Sequence, residues 1–274
     1  MAPGPQDEPC DGCSGEVGAS CHECTKKKKR SKKKGHSDGI GLTCGGHAII
    51  SGCTKTGKTH WVVDAILGKG VHKGRPGPWD SVLVCCDNIS INQPRYKYLA
   101  AQFTGKGGPV EFYEGLPQNE EEETELLDHL TTNSDNGFQT LVIIDDLMKT
   151  SGSGFPEKFV DKMFTSARHI NCTVFELNQA HTASRIRRLQ ASFLACFATP
   201  ADVRSLAHVA HGIMPEDKGH KILEAYRHAV TDHDGHGCLV ICLRANPEYM
   251  FRNTSFNVCF DMDALPEPEI AGWT

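Results

Sequence analysis

Between His47 and Leu243 the chain alternates short, nearly continuous apolar runs with longer stretches in which apolar residues recur every three or four positions. An apolar run without polar alternation reads as a strand buried on both faces, and the 3.6-residue period between runs reads as helices that cover those faces. The strands expected are His47–Ser51, Ser81–Cys86, Val110–Tyr113, Thr140–Asp146, Thr173–Gln179, Ser192–Ala198 and Gly237–Leu243. The helices expected are Lys58–Leu67, Gln93–Phe103, Asn119–Leu130, Pro156–His169, Ala201–Ala210 and Lys221–Val230. This alternation predicts an α/β fold, a mostly parallel sheet sandwiched by helices. Lys69–Trp79, rich in glycine and proline, reads as a loop. Glu120–Glu125 holds five acids in six positions, which suits the first turn of a helix and is assigned no chemistry.

The first 36 residues do not share this pattern. They lack apolar periodicity, so the division expected is a tail, 1–36, and one domain, 37–274. The tail carries a net charge of +3 in a chain of net −5, which leaves −8 on the remainder: a basic tail on an acidic body. Two pairs, Cys10-x-x-Cys13 and Cys21-x-x-Cys24, offer four thiolates to a tetrahedral Zn²⁺ in a small knuckle, with His22 as a substitute ligand. Without metal they are merely cysteines of a flexible tail. Lys26–Lys34, KKKKRSKKK, has eight basic residues in nine positions and suits a polyanion or an import receptor. The host nucleus or a virion assembly site is the location it suggests. No apolar run is long enough to span a membrane, and no signal peptide is evident. The other cysteines lie mostly in apolar runs, as small hydrophobes in a reducing compartment and not as a disulfide framework.

The chemistry begins at the first strand. His47–Ser51 runs into Gly52-Cys53-Thr54-Lys55-Thr56-Gly57-Lys58-Thr59, which fits G-x-x-x-x-G-K-[ST] at every fixed position. A strand, a tight loop and a helix N-terminus turn backbone N–H groups towards one point and favour an anion there. In such a loop Lys58 reaches the β- and γ-phosphates of ATP and Thr59 puts its hydroxyl on Mg²⁺. The second informative run is Thr140–Asp146, in which four apolar residues end in two carboxylates at the C-terminal edge of a strand. Downstream of a P-loop it reads as Walker B, with Asp145 on Mg²⁺ and Asp146 as the general base for the attacking water. Thr173–Gln179 ends in amides, and Gln179 is the expected γ-phosphate or water sensor. Ser81–Cys86 and Val110–Tyr113 leave room for an extra strand between Walker A and Walker B. Charge building on the transferred phosphoryl group needs a cation. Arg168 is the first choice, acting on a neighbour's ATP if the protein forms a ring, and Arg188, in the cluster Arg185, Arg187 and Arg188, is the reserve.

The order of GCTKTGKT (52–59), LVIIDD (141–146), ARHINCTVFELNQ (167–179) and RLQASFLACFATPADVRSLAHVA (188–210) resembles the FtsK–HerA superfamily of RecA/ASCE-like P-loop ATPases. It is most similar to the genome-packaging ATPases of large DNA viruses and of Polinton/Maverick elements, including the adintoviruses. Pro200-Ala201-Asp202 stands where that family has a turn before a helix, and Gly237–Leu243 with Arg252-Asn253-Thr254 resembles its closing segment. Cys53 and Lys55 depart from the small residues usual in its P-loop, and the Cys/Lys-rich tail lies outside the shared region. The resemblance implies a homo-oligomeric ring that hydrolyses ATP to drive double-stranded DNA into a preformed capsid, with capsid or portal-vertex proteins as partners. The alternatives are a helicase or recombination ATPase acting on single strands, and a non-hydrolysing, nucleotide-switched DNA-binding protein. The absence of an aromatic-rich stacking segment weighs against the first. The paired acids Asp145 and Asp146 weigh against the second.

Overall fold

The computed structural model describes residues 46–147, 154–179, 183–199, 206, 219–245, 250–256 and 260. All belong to the second of the two units into which the chain divides by its contacts, Ile40–Thr274. The tail with its four cysteines and lysine run, the turn at Pro200-Ala201-Asp202 and, apart from Leu206, the expected helix Ala201–Ala210 lie outside the described residues.

Eight strands form one sheet: β1 (Ala48–Ser51), β2 (Ser81–Cys86), β3 (Glu111–Glu114), β4 (Thr140–Asp145), β5 (Cys172–Asn178), β6 (Phe193–Phe197), β7 (Cys238–Cys242) and β8 (Phe251–Arg252). Their spatial order is β3-β2-β4-β5-β1-β6-β7-β8. The first six are parallel, and β7 and β8 close the far side antiparallel. The helices are α1 (Lys58–Leu67), α2 (Asn88–Ile91), α3 (Pro94–Gln102), α4 (Glu120–Asp135), α5 (Phe155–Ser166), α6 (Arg185–Gln190) and α7 (Gly219–Gly235). The expected mostly parallel sheet covered by helices is therefore the architecture observed.

Alternate residues of each central strand feed two cores. Ile50, Val84, Ile143 and Phe175 pack with Trp61, Val62 and Ile66 of α1 and with Tyr96 and Leu99 of α3. Ile49, Cys85, Ile144 and Val174 pack on the opposite face with Leu126 and Leu130 of α4, Phe159 and Met163 of α5, and Ile222 and Tyr226 of α7. Each such large side chain, fully withdrawn from water, stabilises the fold by roughly 1.5–3 kcal/mol. Burial on both faces explains why β1, β2 and β4 are apolar without alternation. At the edge, β3 reads Glu-Phe-Tyr-Glu and is only partly buried, with charges that discourage pairing with another chain.

The structure departs from the sequence expectations in several places. The strand lying between Walker A and Walker B in the sheet is β5, which follows Walker B in the chain; β2 and β3 lie beyond β4. The helix expected to end at Leu130 continues to Asp135, with the hydroxyls of Thr131 and Thr132 satisfied within the helix by the carbonyls of Leu127 and Asp128. Pro156–His169 divides into α5 and a 3₁₀ turn, Ala167–Ile170, stopped by the left-handed Asn171 at φ 51°. The basic cluster past the sensor is a helix, α6, with Ser184 as its N-cap accepting from Arg187 N. At the N-terminus of α4 the acids act as expected. Asn119 caps Glu122 N at 3.0 Å, and Glu122 reaches back to Gln118 N at 2.9 Å.

Candidate active site

The ends of β1, β5 and β4, adjacent in the sheet, bring the sequence motifs to one edge. The loop after β1 is hung from both neighbours: Gly52 N donates to Asn178 O of β5 at 3.0 Å, and Cys53 N to Ala198 O beyond β6 at 3.1 Å. Gly52 is required by space, because a Cβ there would lie 2.5 Å from Phe197 Cβ. Gly57 is required by backbone, with φ 101° at the entry to α1. Lys55 adopts φ 68° without being glycine. Such a left-handed residue costs about 1–2 kcal/mol and helps turn successive N–H groups into the concavity that receives an anion.

Lys58 is buried, and its ammonium donates to Gly52 O at 2.6 Å and Cys53 O at 3.0 Å. Burial lowers its pKa, opposed by the nearby Asp145 and Asp146. Asp145, the last residue of β4, is 6% exposed and accepts from Tyr96 Oη at 2.6 Å and Thr59 Oγ1 at 3.4 Å, both at Oδ2. Burial raises its pKa, while the Tyr96 hydrogen bond, Lys58 and Thr59 act the other way. The phenol of Tyr96 is itself pushed well above 10 by burial and by Asp145, so it stands as a donor.

Asp146 turns out of the strand at φ 55°, with its N–H on Leu177 O of β5 at 3.1 Å. This half-buried carboxylate faces solvent at the sheet edge and accepts from Gln179 Nε2 at 2.5 Å. The two residues expected to handle water therefore meet. A cleft of about 770 Å³ runs past this cluster, bounded by Lys58, Thr59, Asp145 and Asp146, and continuing to Trp61, Val71 and His236.

The donor set suits Mg²⁺ and phosphate. A hydroxyl and a carboxylate are hard oxygen ligands, and Mg²⁺ takes one or two such groups with phosphate oxygens and waters for the rest. The missing side chain at Gly52, whose place Phe197 has taken, keeps the loop backbone close-packed beneath the anion position. Among the described residues no cluster of three or more His, Cys, Asp or Glu side chains is arranged for a metal. The zinc expectation at Cys10, Cys13, Cys21 and Cys24 concerns residues outside the described ones.

The arginines lie elsewhere. Arg168 sits in the turn before β5, at the opposite end of that strand from Gln179 and exposed. Seven residues of strand put it roughly 20 Å from its own Walker edge, too far for action in cis. Arg188 donates to Ala183 O and lines a small cavity with Ile49, Ser51 and Cys196. Arg187, of the same basic cluster, is 3% exposed and pairs with Glu157, Asp161 and Glu176. Sequence reasoning also missed Tyr96, which has no motif around it, and His236, whose ring lies against Gly57 and Thr56 from the turn before β7.

No protein-family model matches the sequence, and no curated protein does. Solved structures do match by fold. The DNA-packaging ATPase B204 of Sulfolobus turreted icosahedral virus superposes with a TM-score of 0.52 at 13% identity, over 77% of this chain and 97% of that one. The genome-packaging NTPase B204 of Sulfolobus turreted icosahedral virus 2 gives 0.50 at 15% identity with ATPγS, over 76% and 96% of the two chains. Its AMPPCP complex gives 0.51 at 13%, over 76% and 95%. At these identities the likeness establishes the fold, that of a P-loop ATPase. The P-loop ATPase fold expected from the motifs is thus the fold observed.

Proposed function

We propose that this chain is a Mg²⁺-dependent P-loop ATPase that moves double-stranded DNA, in the manner of a viral genome-packaging motor. The observation that carries the reading is the convergence of Lys58, Thr59, Asp145, Asp146 and Gln179 at the C-terminal edges of three adjacent strands. In this reading the loop N–H groups and Lys58 bind the phosphates of ATP, the ammonium exchanging its carbonyl partners for phosphate oxygens. Thr59 and Asp145 hold Mg²⁺, which when bound neutralises charge building on the phosphates. Asp146, held by Gln179, takes the proton of the attacking water. The fold shared with the B204 packaging ATPases supports a motor over a stand-alone phosphatase. Assembly into a homo-oligomeric ring, capsid or portal-vertex partners, and kinship with Polinton/Maverick-type elements belong to the same proposal. So does the division into tail and ATPase domain, the basic run Lys26–Lys34 adding DNA affinity that weakens steeply with salt.

The test is ATP hydrolysis by the full chain with no DNA, single-stranded DNA and duplex DNA. Duplex DNA is expected to stimulate turnover most, and Lys58→Ala to abolish it. Normal turnover by Lys58→Ala would remove the assignment, and stronger stimulation by single strands would move it to a helicase-type enzyme.

A further inference from the structure

Walker B has a partner that no motif announces. Tyr96 lies in the first turn of α3, fully buried, with its ring edge-on to Phe112 of β3 at 6.1 Å. A buried phenol needs a hydrogen-bond acceptor. This one spends its hydroxyl on Asp145 Oδ2 at 2.6 Å, 49 residues away in sequence. The same oxygen receives Thr59 Oγ1 from α1 at 3.4 Å. Tyr96 makes the short bond and Thr59 the long one, and two donors from two helices on one oxygen restrict the rotation of the carboxylate. The metal proposed above would be held by Thr59 and Asp145, and the groups behind a ligand set its orientation and its readiness to bind.

We infer that Tyr96 is a positioning residue for the Mg²⁺ of the bound nucleotide, acting through Asp145 and tying the β2–α3 side of the sheet to the metal. It touches neither substrate nor the reacting atoms. The inference rests on the nucleotide-binding reading of the site. Its consequence is that the Tyr96 hydroxyl affects metal-dependent binding and leaves the phosphate grip of Lys58 and the loop alone.

The experiment uses the full chain with Tyr96→Phe, which keeps the ring and removes one oxygen. Affinity for a fluorescent, non-hydrolysable ATP analogue is measured in EDTA and across a Mg²⁺ titration, with kcat and KM for ATP read separately on the same preparation. The Mg²⁺ needed for half-maximal binding is expected to rise about 10–100-fold, the usual effect of losing a partner behind a metal ligand. Affinity in EDTA should stay at the wild-type value. As a control, Phe112→Leu disturbs the packing of the ring and keeps the hydroxyl, so it should lower Tm without moving the Mg²⁺ midpoint. An unchanged midpoint in Tyr96→Phe overturns the inference, as does equal weakening with and without Mg²⁺. A Tyr96→Phe chain that fails to fold also overturns it, because the hydroxyl would then serve the fold. Wild-type protein that binds no nucleotide would instead remove the reading of the site itself.

Discussion

At the scale of single residues the chemistry narrows to Asp146. Its neighbour Asp145 is buried and held by two hydroxyls, whereas Asp146 leaves the strand in a left-handed conformation and meets Gln179 at the sheet edge. Two adjacent acids thus stand in different surroundings because the backbone turns between them, and the proposed reaction gives them separate roles. Asp146→Asn keeps the size and loses the proton acceptor, so turnover should fall by roughly 10²–10⁴-fold. Nucleotide affinity should stay within a few-fold of wild type. Single-turnover hydrolysis and equilibrium binding on the same preparation separate the two, and a parallel loss of affinity would count against a base. Gln179→Ala, which frees that carboxylate, should lower kcat in the same direction and by less. These parts were legible because each lies inside a contiguous signature: 52–59, 145–146, and the amide that ends β5. Tyr96 was not legible, since its only mark is a contact with a residue 49 positions away. Nothing local in PRYKYLAAQ distinguishes it from any core tyrosine.

At the scale of elements, apolar runs located the six inner strands to within a residue or two because burial on both faces leaves little else they could be, and the partly buried edge strand β3 was found from its apolar Phe112-Tyr113 pair. Two-residue β8 is too short to carry a period, and α6 was hidden by its composition. RIRRLQ looks like solvated surface, yet Arg187 is drawn inward by acids on two other elements, Glu176 in β5 and Glu157 and Asp161 in α5. Burial raises the pKa of Glu176, and Arg187 opposes that shift. Breaking such a pair leaves an uncompensated buried charge, so Arg187→Leu should cost about 3–5 kcal/mol. The drop in Tm would be read by calorimetry, and a loss below about 1 kcal/mol would mean that Glu176 simply takes a proton. A second stability term comes from His47 and His72, both buried and both pushed down to about 4 mainly by desolvation. The unfolded chain binds these protons near pH 6.5, so stability is present above that value and is lost as pH falls towards 4. His72 packs against Trp61 and Phe256, and its buried Nε2 has no hydrogen-bond partner among the described residues. His72→Phe should therefore shrink the difference in unfolding free energy between pH 7 and pH 5 by about 2 kcal/mol. Urea denaturation at the two pH values checks this, and an undiminished difference would show that His72 charges without penalty.

At the scale of the whole molecule the open matter is the cation that phosphoryl transfer calls for. Arg168 stands in the turn before β5 and Gln179 just past its end, with seven strand residues between them, so no rotamer brings Arg168 to its own nucleotide. If Arg168 takes part in the reaction at all, it does so across a subunit boundary, and that has a consequence no single-chain effect reproduces. Arg168→Ala supplies an intact cleft and no cation; Lys58→Ala supplies the cation and a disabled cleft. Each alone should be inactive. Mixed in equal amounts under conditions that exchange subunits, they form interfaces in which an intact cleft faces an intact Arg168. ATP hydrolysis should then return to a fraction of wild type that depends on the mixing ratio and passes through a maximum. A flat zero across all ratios, with exchange verified by labelled subunits, would show that Arg168 serves the fold or the assembly and that the cation comes from another element, with Arg188 the next to be exchanged in the same way. Full activity of Arg168→Ala alone would release it from catalysis entirely.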